Sequence, residues 1–193
     1  SLANVETVAR RLSEEHLSVQ VLTGTMRGLE RDALAKNDPI FARFMPMPGA
    51  SPLVGTVYLI CTSAGEVGID MSADHLVCDL TPFDSMAQRV GRVNRFGDGD
   101  ALIDIVCTDT DSTKKGPDDN VTPFNHSREL TAALLQRLPM RADKRYDASP
   151  AALGSLPLSD RQAAFTPSPV ILPTSDILFD AWALTSIREK LPG

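Results

Sequence analysis

The amino-acid sequence predicts an α/β protein with a doubly wound, mainly parallel sheet. Apolar runs of strand length alternate along the chain with segments of helical periodicity, and this alternation is typical of parallel strands connected by helices. The run at residues 57–61 is nearly all apolar, which is typical of a central strand that is covered on both faces. The four predicted strands are residues 17–22, 57–61, 75–80 and 101–107.

Helices are predicted between these strands. Apolar residues recur at three- and four-residue spacing across residues 4–16, with Asn4 as the expected N-cap, and a second helix is predicted at 29–36. Residues 37–55 are rich in proline and methionine, so they are predicted to form a long excursion with one helical turn near Phe41.

The helix predicted at residues 84–95 separates charged from apolar side chains. At about 100° per residue, Gln88, Arg92 and Arg95 fall within about 60° of one another. The apolar residues on the opposite side are Met86, Val90 and Val93. The residues expected to cap its first turn are Asp84 and Ser85. Two arginines one turn apart on an anchored helix can bind a polyphosphate, although their spacing alone also fits a solvated basic face.

Composition limits the class of protein. The 193 residues suffice for one domain with an appendage, and the net charge of −6 restricts any nucleic-acid site to a local surface. An odd number of cysteines without a C-x-x-C pair, scattered histidines and no apolar run of membrane-spanning length predict a reduced, cytoplasmic protein without a metal site. The cysteines and histidines are Cys61, Cys78, Cys107, His16, His75 and His126.

The composition changes after the last predicted strand. Residues 108–120 are rich in aspartate and poor in apolar side chains, which indicates an exposed linker. Beyond it, helices are predicted at 127–138 and 175–191, and the second is apolar on most sides, so it is expected to pack against the rest of the protein or a missing neighbour. The predicted divisions are a domain at 1–110, an acidic linker at 111–122 and a helical C-terminal extension at 123–193.

Two strings of residues carry the functional signal. T-S-A-G-E-V-G-I-D spans residues 62–70, and after 17 residues Q-R-V-G-R-V-N-R spans residues 88–95. Together they resemble motifs V and VI of superfamily 2 helicases. The Q-R-x-G-R-x-N-R form is most similar to the helicase-nuclease subunit of type I CRISPR systems, and the run that begins G-E-V-G-I-D at Gly65 resembles its U (also called G) subtype.

The resemblance implies a nucleotide site. The fold would be the second RecA-like lobe of a motor that binds ATP between two lobes, with Mg²⁺ held mainly by the first lobe. By position, Arg92 and Arg95 would be arginine fingers that reach the γ-phosphate. Gln88, Gly68 and Asp70 would contact the nucleotide, the last of them at the ribose.

The resemblance also implies that the lobe binds one strand of DNA. Thr62, at the start of motif V, would meet the nucleic-acid backbone. The glycine-containing turn at residues 23–28 is similar to motif IV, so Gly24 and Thr25 would contact a phosphate through free backbone amides. Related helicases often have histidine where this chain has Thr23, and a plain connection between a strand and a helix is the alternative for this turn.

The implied partners are single-stranded DNA, a first RecA-like lobe, an HD nuclease of the parent protein and a CRISPR RNA-guided surveillance complex. Neither G-x-x-x-x-G-K-[ST] nor D-E-x-H or D-E-x-D occurs in the sequence. We therefore expect that the chain is the carboxy-terminal part of a larger ATP-dependent helicase and is inactive alone.

Two other functions fit the same residues. One is a lobe of another superfamily 2 DNA translocase, such as a restriction or repair enzyme. The other is a non-catalytic RecA-like scaffold module, which the acidic net charge and the apolar helix predicted at 175–191 favour.

Overall fold

Helices and parallel strands alternate along the chain, which confirms the predicted α/β class. The computed structural model describes residues 2–26, 28–45, 54–65, 70–97, 99–107 and 122–169. In chain order the elements are α1 (Leu2–Glu14), β1 (Ser18–Leu22), α2 (Gly28–Asn37), α3 (Pro39–Ala42), β2 (Val57–Cys61), β3 (His75–Asp79), α4 (Phe83–Val90), β4 (Leu102–Val106), α5 (Pro123–Leu135), α6 (Pro150–Ser155) and α7 (Leu158–Ala163). A 3₁₀ turn at Ser63–Gly65 follows β2.

The four strands form two parallel pairs. β1 runs beside β2 with Leu22 opposite Cys61, and β3 runs beside β4 with Asp79 opposite Val106. Parallel neighbours need a crossover connection, and here α2 and α3 cross from β1 to β2 while α4 lies between β3 and β4. Within the described residues β2 and β3 do not pair with each other. In each pair the carboxyl ends of both strands lie at one edge, where loops can meet.

The first half of the chain agrees with the predicted elements apart from one cap. α1 begins at Leu2, so Asn4 lies inside its first turn and the prediction that Asn4 is the N-cap was wrong. Leu2 is three residues before the buried Val5 and extends the apolar face toward the N-terminus. The helical turn predicted near Phe41 is α3, in which Asp38 caps the helix by accepting a hydrogen bond from the Phe41 amide at 2.7 Å.

α4 begins earlier than predicted. Its N-cap is Pro82, not Asp84 or Ser85. The φ of −51° at Pro82 suits the entry to a helix, and the next residue, Phe83, is buried, so the apolar packing of Phe83 fixes where the helix starts.

α4 also ends earlier than predicted, because it stops at Val90 rather than at residue 95. Gly91 is its C-cap, and glycine is a weak helix former. Asn94 has a positive φ of 43°, which no right-handed helix allows, and Val93 forms a parallel bridge with Ala73. The single helical face predicted for the arginines is therefore replaced by an irregular segment that is tied to a distant part of the chain.

Two apolar clusters form the core. The first lies under β1 and β2 and consists of Leu22, Phe41 and Met71, with six partly buried apolar side chains around them. The second joins α4 to the C-terminal helices and consists of Phe83, Leu134, Leu138, Ala152, Leu156 and Ala164. The described part of the C-terminal extension thus packs against α4 through buried apolar side chains.

Several predictions concern residues that are only partly described. The helix predicted at 127–138 is α5, which begins at Pro123, where the Thr122 hydroxyl accepts a hydrogen bond from the Asn125 amide at 3.2 Å. The linker at 111–122, apart from Thr122, and the helix at 175–191 lie outside the described residues. Among the described helices, none is both long and apolar enough to cross a lipid bilayer.

We expect Leu22→Ala to lower the free energy of unfolding by about 2–5 kcal/mol, because Leu22 is fully buried in the first cluster and truncation leaves a cavity. Leu29→Ala removes the same atoms from a side chain that is 84% exposed, and it should change stability by less than about 0.5 kcal/mol. Urea unfolding of the two variants would measure the difference. Equal losses would contradict the position of the core.

Candidate functional site

The arginine segment, residues 91–97, is fixed by hydrogen bonds to the backbone of Ala73 and to the side chain of Ser72. The Ala73 amide donates to the Arg92 carbonyl at 2.8 Å, and the Asn94 amide donates to the Ala73 carbonyl at 2.8 Å. The Arg95 amide donates to the Ser72 hydroxyl at 3.3 Å. Because these bonds lie on both sides of Val93, they set the positions from which both arginine side chains extend.

Arg92 and Arg95 converge on one carboxylate. The Arg95 guanidinium forms a close ion pair with Asp70, and an Arg92 guanidinium nitrogen lies 4.0 Å from the same oxygen, Oδ1. The Asp70 side chain is 64% exposed, and ion pairs on an exposed carboxylate contribute little stability. A polyphosphate with several negative oxygens can therefore compete with Asp70 for these guanidiniums.

Asp70, which belongs to motif V, thus contacts Arg92 and Arg95 of motif VI. Three of the predicted nucleotide-site residues are brought together here. Gln88 is exposed on α4, two residues before the helix ends, and Gly68 lies outside the described residues.

Arg89 has a structural role. Its guanidinium donates to the Asp79 carboxylate at 2.8 Å and to the Asp79 carbonyl at 3.0 Å. Its side chain is only 17% exposed, so it is turned away from solvent. Arg89 holds the end of α4 against the end of β3.

Gly24 and Thr62 meet at the carboxyl edge of the β1–β2 pair. The Thr62 amide donates to the Leu22 carbonyl at 3.1 Å, and the Gly24 amide donates to the Thr62 hydroxyl at 3.2 Å. Thr25 lies in the same turn, where its hydroxyl is 2.9 Å from that of Thr23. The three predicted nucleic-acid residues therefore lie on one edge, where Gly24 and Thr25 are exposed. The Gly24 amide was expected to be free, but it is bonded to the Thr62 hydroxyl.

The 3₁₀ turn at Ser63–Gly65 folds back on the last residue of β2. A Cβ atom at Gly65 would lie 2.8 Å from the Cys61 Cβ and 2.9 Å from its Sγ, closer than real side-chain contacts allow. Glycine at this position lets the chain turn immediately after Thr62. Burial of Cys61 raises the pKa of its thiol from 9.0 to about 11.

Sequence reasoning missed two supports of the site. Ser72 and Ala73 hold the arginine segment, but a small hydroxyl residue and an alanine carry no local signal for pairing over about twenty residues. The contact of Asp70 with both arginines was also missed, although opposite charges in motifs V and VI were visible in the sequence. Among the described residues, no group of three histidine, cysteine or acidic side chains is placed to hold a metal ion.

The chain is similar to known proteins in sequence and in fold. A family model described as "CRISPR-associated nuclease/helicase Cas3, C-terminal" matches residues 2–98. The crystal structure of T. fusca Cas3 is 18% identical, with a TM-score of 0.58 over 86% of this chain and 19% of that chain. Its ATP form is 17% identical, with a TM-score of 0.57 over 86% of this chain and 18% of that chain.

A third structure, T. fusca Cas3 with AMPPNP, is 16% identical, with a TM-score of 0.53 over 79% of this chain and 18% of that chain. The chain thus spans about a fifth of the length of T. fusca Cas3. At these identities the likeness is one of fold, and it confirms the predicted RecA-like α/β fold. No curated protein matches the chain.

Gly65→Ala is expected to lower the free energy of unfolding by about 1–3 kcal/mol, because the added methyl group meets Cys61 and must displace the turn. Gly154→Ala is the control, since a Cβ there meets nothing within 4 Å, and it should leave stability unchanged or raise it slightly. Urea unfolding of both variants would measure the two changes in the free energy of unfolding. A Gly65→Ala protein as stable as wild type would contradict the close packing.

At pH 8 the Cys61 thiol should react with a thiol reagent far more slowly than the exposed thiol of Cys107. The raised pKa leaves about a hundredfold less thiolate at Cys61 than at a thiol with the ordinary value, and only the thiolate attacks. Mass spectrometry of labelled peptides over time would give both rates. In urea the two rates should become similar, and equal rates in the folded chain would refute the burial of Cys61.

Proposed function

The chain belongs to the C-terminal family of the CRISPR-associated nuclease/helicase Cas3, and we propose that it is the second RecA-like lobe of an ATP-driven motor that moves along single-stranded DNA. The family match lies within residues 1–110, the part predicted to be the lobe, and it favours this function over another superfamily 2 translocase. The observation that carries the proposal is the convergence of Arg92 and Arg95 on the exposed carboxylate of Asp70.

The arginine pair suits the transition state of phosphoryl transfer. Negative charge gathers on the phosphoryl oxygens as the bond to the leaving group breaks, and planar guanidiniums can bind two oxygens each. Asp70 contacts both arginines in the structure. The γ-phosphate of a nucleotide would compete with Asp70 for them, and the Asp70 carboxylate would then be available to the hydroxyl groups of the ribose, with Gln88 and Gly68 lining the nucleotide.

The nucleotide would be ATP with Mg²⁺. Structures of T. fusca Cas3 with ATP and with AMPPNP support a nucleotide at this fold. Arg92 and Arg95 fit the phosphates, and the metal would be held mainly by the first RecA-like lobe of the parent protein, where it neutralises phosphate charge. Because the sequence contains no P-loop motif, we propose that the chain alone does not hydrolyse ATP.

The same lobe would hold DNA through its phosphates. Gly24, Thr25 and Thr62 lie together at one strand edge, and amides and hydroxyls at such an edge bind a backbone without reading its sequence. Binding should therefore weaken steeply with salt. Residues 62–70 begin at the DNA edge and end at the nucleotide arginines, so this one segment would couple ATP turnover to movement along the strand.

The partners follow from the family. We propose that the lobe works beside a first RecA-like lobe and an HD nuclease of the parent protein, in the cytoplasm, on DNA that a CRISPR RNA-guided surveillance complex has opened. Residues 123–193 would form a helical extension of the lobe.

In the intact parent protein, Arg92→Ala and Arg95→Ala are each expected to lower single-stranded-DNA-stimulated ATP hydrolysis by about 10³-fold or more, because an arginine finger contributes that much to the rate. The control is Arg10→Ala, whose side chain is 70% exposed on α1 and pairs with Glu14 at 3.9 Å. Its rate should match wild type. The 193-residue chain by itself should give only the buffer background.

Nucleotide and DNA affinities would be measured for the same variants, to separate a loss of catalysis from a loss of binding. Wild-type turnover in both arginine variants would reject the finger assignment, and retained partner binding together with retained biological function would then favour the scaffold module.

A further inference from the structure

The first turn of α4 is capped by a part of the chain that lies about eighty residues later. Its N-cap, Pro82, makes no side-chain capping bond, and a helix leaves its first amides without partners inside the helix. The Phe83 amide instead donates to the Ala164 carbonyl at 2.9 Å. The start of α4 is therefore completed by residues that follow α7.

A second bond ties the same turn to the segment after α7. The Asp84 carboxylate accepts hydrogen bonds from both the amide and the hydroxyl of Thr166, each at 2.9 Å. Both bonds are charge-assisted, and a carboxylate in the first turn is also favoured by the helix dipole. On the other side of Pro82, the Arg128 guanidinium donates to the Leu80 carbonyl at 2.9 Å.

Apolar packing reinforces these bonds. Phe83 is 4% exposed and lies in the cluster formed with the C-terminal helices. The Phe165 ring stacks on the Phe83 ring, with centroids 6.5 Å apart and planes inclined by 11°. Phe165 and Thr166 thus contact two consecutive residues of α4, Phe83 and Asp84.

α4 leads directly from this cap to the arginines. Its eight residues span about 12 Å and end at Val90, one residue before the arginine segment begins. Arg89 ties that end to β3, and the helix backbone between the two ends is continuous. A shift or fraying at the first turn therefore changes where Arg92 and Arg95 lie relative to Asp70.

We infer that the C-terminal unit, α5 to α7 with residues 164–166, positions the arginine segment by capping α4, and that Asp84 and Thr166 are its positioning residues. The inference rests on the proposed function for its effect on catalysis. Both residues would act through the helix rather than by contact with nucleotide or DNA. The C-terminal unit is then a point at which a bound partner can change the rate of ATP hydrolysis.

The test uses three variants of the intact parent protein. Thr166→Val keeps the shape of the side chain but removes the hydroxyl bond to Asp84, and Thr166→Ser keeps that bond. Ser155→Ala is the control, because it removes a hydroxyl bond of 2.7 Å inside the C-terminal unit that does not reach α4. Hydrogen exchange of the amides in residues 91–95 and steady-state ATP hydrolysis with single-stranded DNA would be measured for each.

In Thr166→Val, exchange in residues 91–95 should accelerate and kcat should fall, each by about threefold to tenfold, as expected for the loss of one hydrogen bond. The KM for ATP and the affinity for DNA should stay unchanged, because neither ligand touches Thr166. Thr166→Ser should restore both measurements, and Ser155→Ala should match wild type.

Exchange in Thr166→Val that equals wild type would overturn the inference, whatever the rate of hydrolysis. Equal acceleration in Ser155→Ala would also overturn it, since the effect would then reflect general loosening. If exchange accelerates in Thr166→Val alone while Arg92→Ala retains full turnover, the positioning role stands and the proposed finger role fails.

Discussion

The site depends on the pairing of Ala73 with the backbone on both sides of Val93. The Ala73 amide and carbonyl bond to Arg92 and Asn94, and they do so where a helix would otherwise have continued. In a continued helix, only the helix propensity of the segment and the burial of its apolar face would fix the positions of the arginines. The bridge instead ties them to the residues that follow Asp70, so the arginine segment is held from α4 on one side and from residues 72–73 on the other.

The same constraint bears on how the two ligands of the proposed motor would be linked. Residues 62–70 leave β2 at an edge shared with Gly24, and Asp70 then faces the arginine segment. Both ends of this segment are held by hydrogen bonds or ion pairs to other elements. Under the proposed function, a change in charge at Asp70 would reach the DNA edge through this one segment, which is what coupling of hydrolysis to DNA binding requires.

The pattern of apolar and polar residues along the sequence predicted the strands well, but it predicted the ends of the helices poorly. β2 was predicted at its observed bounds, because its run of apolar residues is bounded by polar turns and needs no distant partner to be recognised. α4 was predicted to continue through Arg95, because Val90 and Val93 keep the helical spacing. Gly91 weakens that helix, but what ends it is the bond to Ala73, which no short-range pattern encodes.

The N-cap predicted for α4 was wrong for the same reason. The groups that bond to its first turn belong to Ala164 and Thr166, about eighty residues away. Within the site, the identities of Arg92, Arg95 and Asp70 came from motif resemblance. Their ion pairs came only from the structure, because spacing in the sequence does not fix which charges meet.

The ion pairs of the arginine segment differ from those in the C-terminal part of the chain. In the C-terminal part of the chain, Arg137 and Arg141 each pair with a different carboxylate. Arg137 holds the pKa of Asp160 below its usual range through a hydrogen bond, and the hydrogen bond from Arg141 to Asp100 raises the pKa of Arg141. Each of these one-to-one pairs has no net charge, so it does not attract an anion from water.

At the arginine segment one carboxylate, Asp70, is shared by two guanidiniums. A multiply charged phosphate can satisfy both guanidiniums at once, which a single carboxylate cannot do with good geometry to both. Under the proposed function, the sharing of Asp70 by two arginines, rather than the total number of basic residues, is what would favour a polyphosphate at this surface.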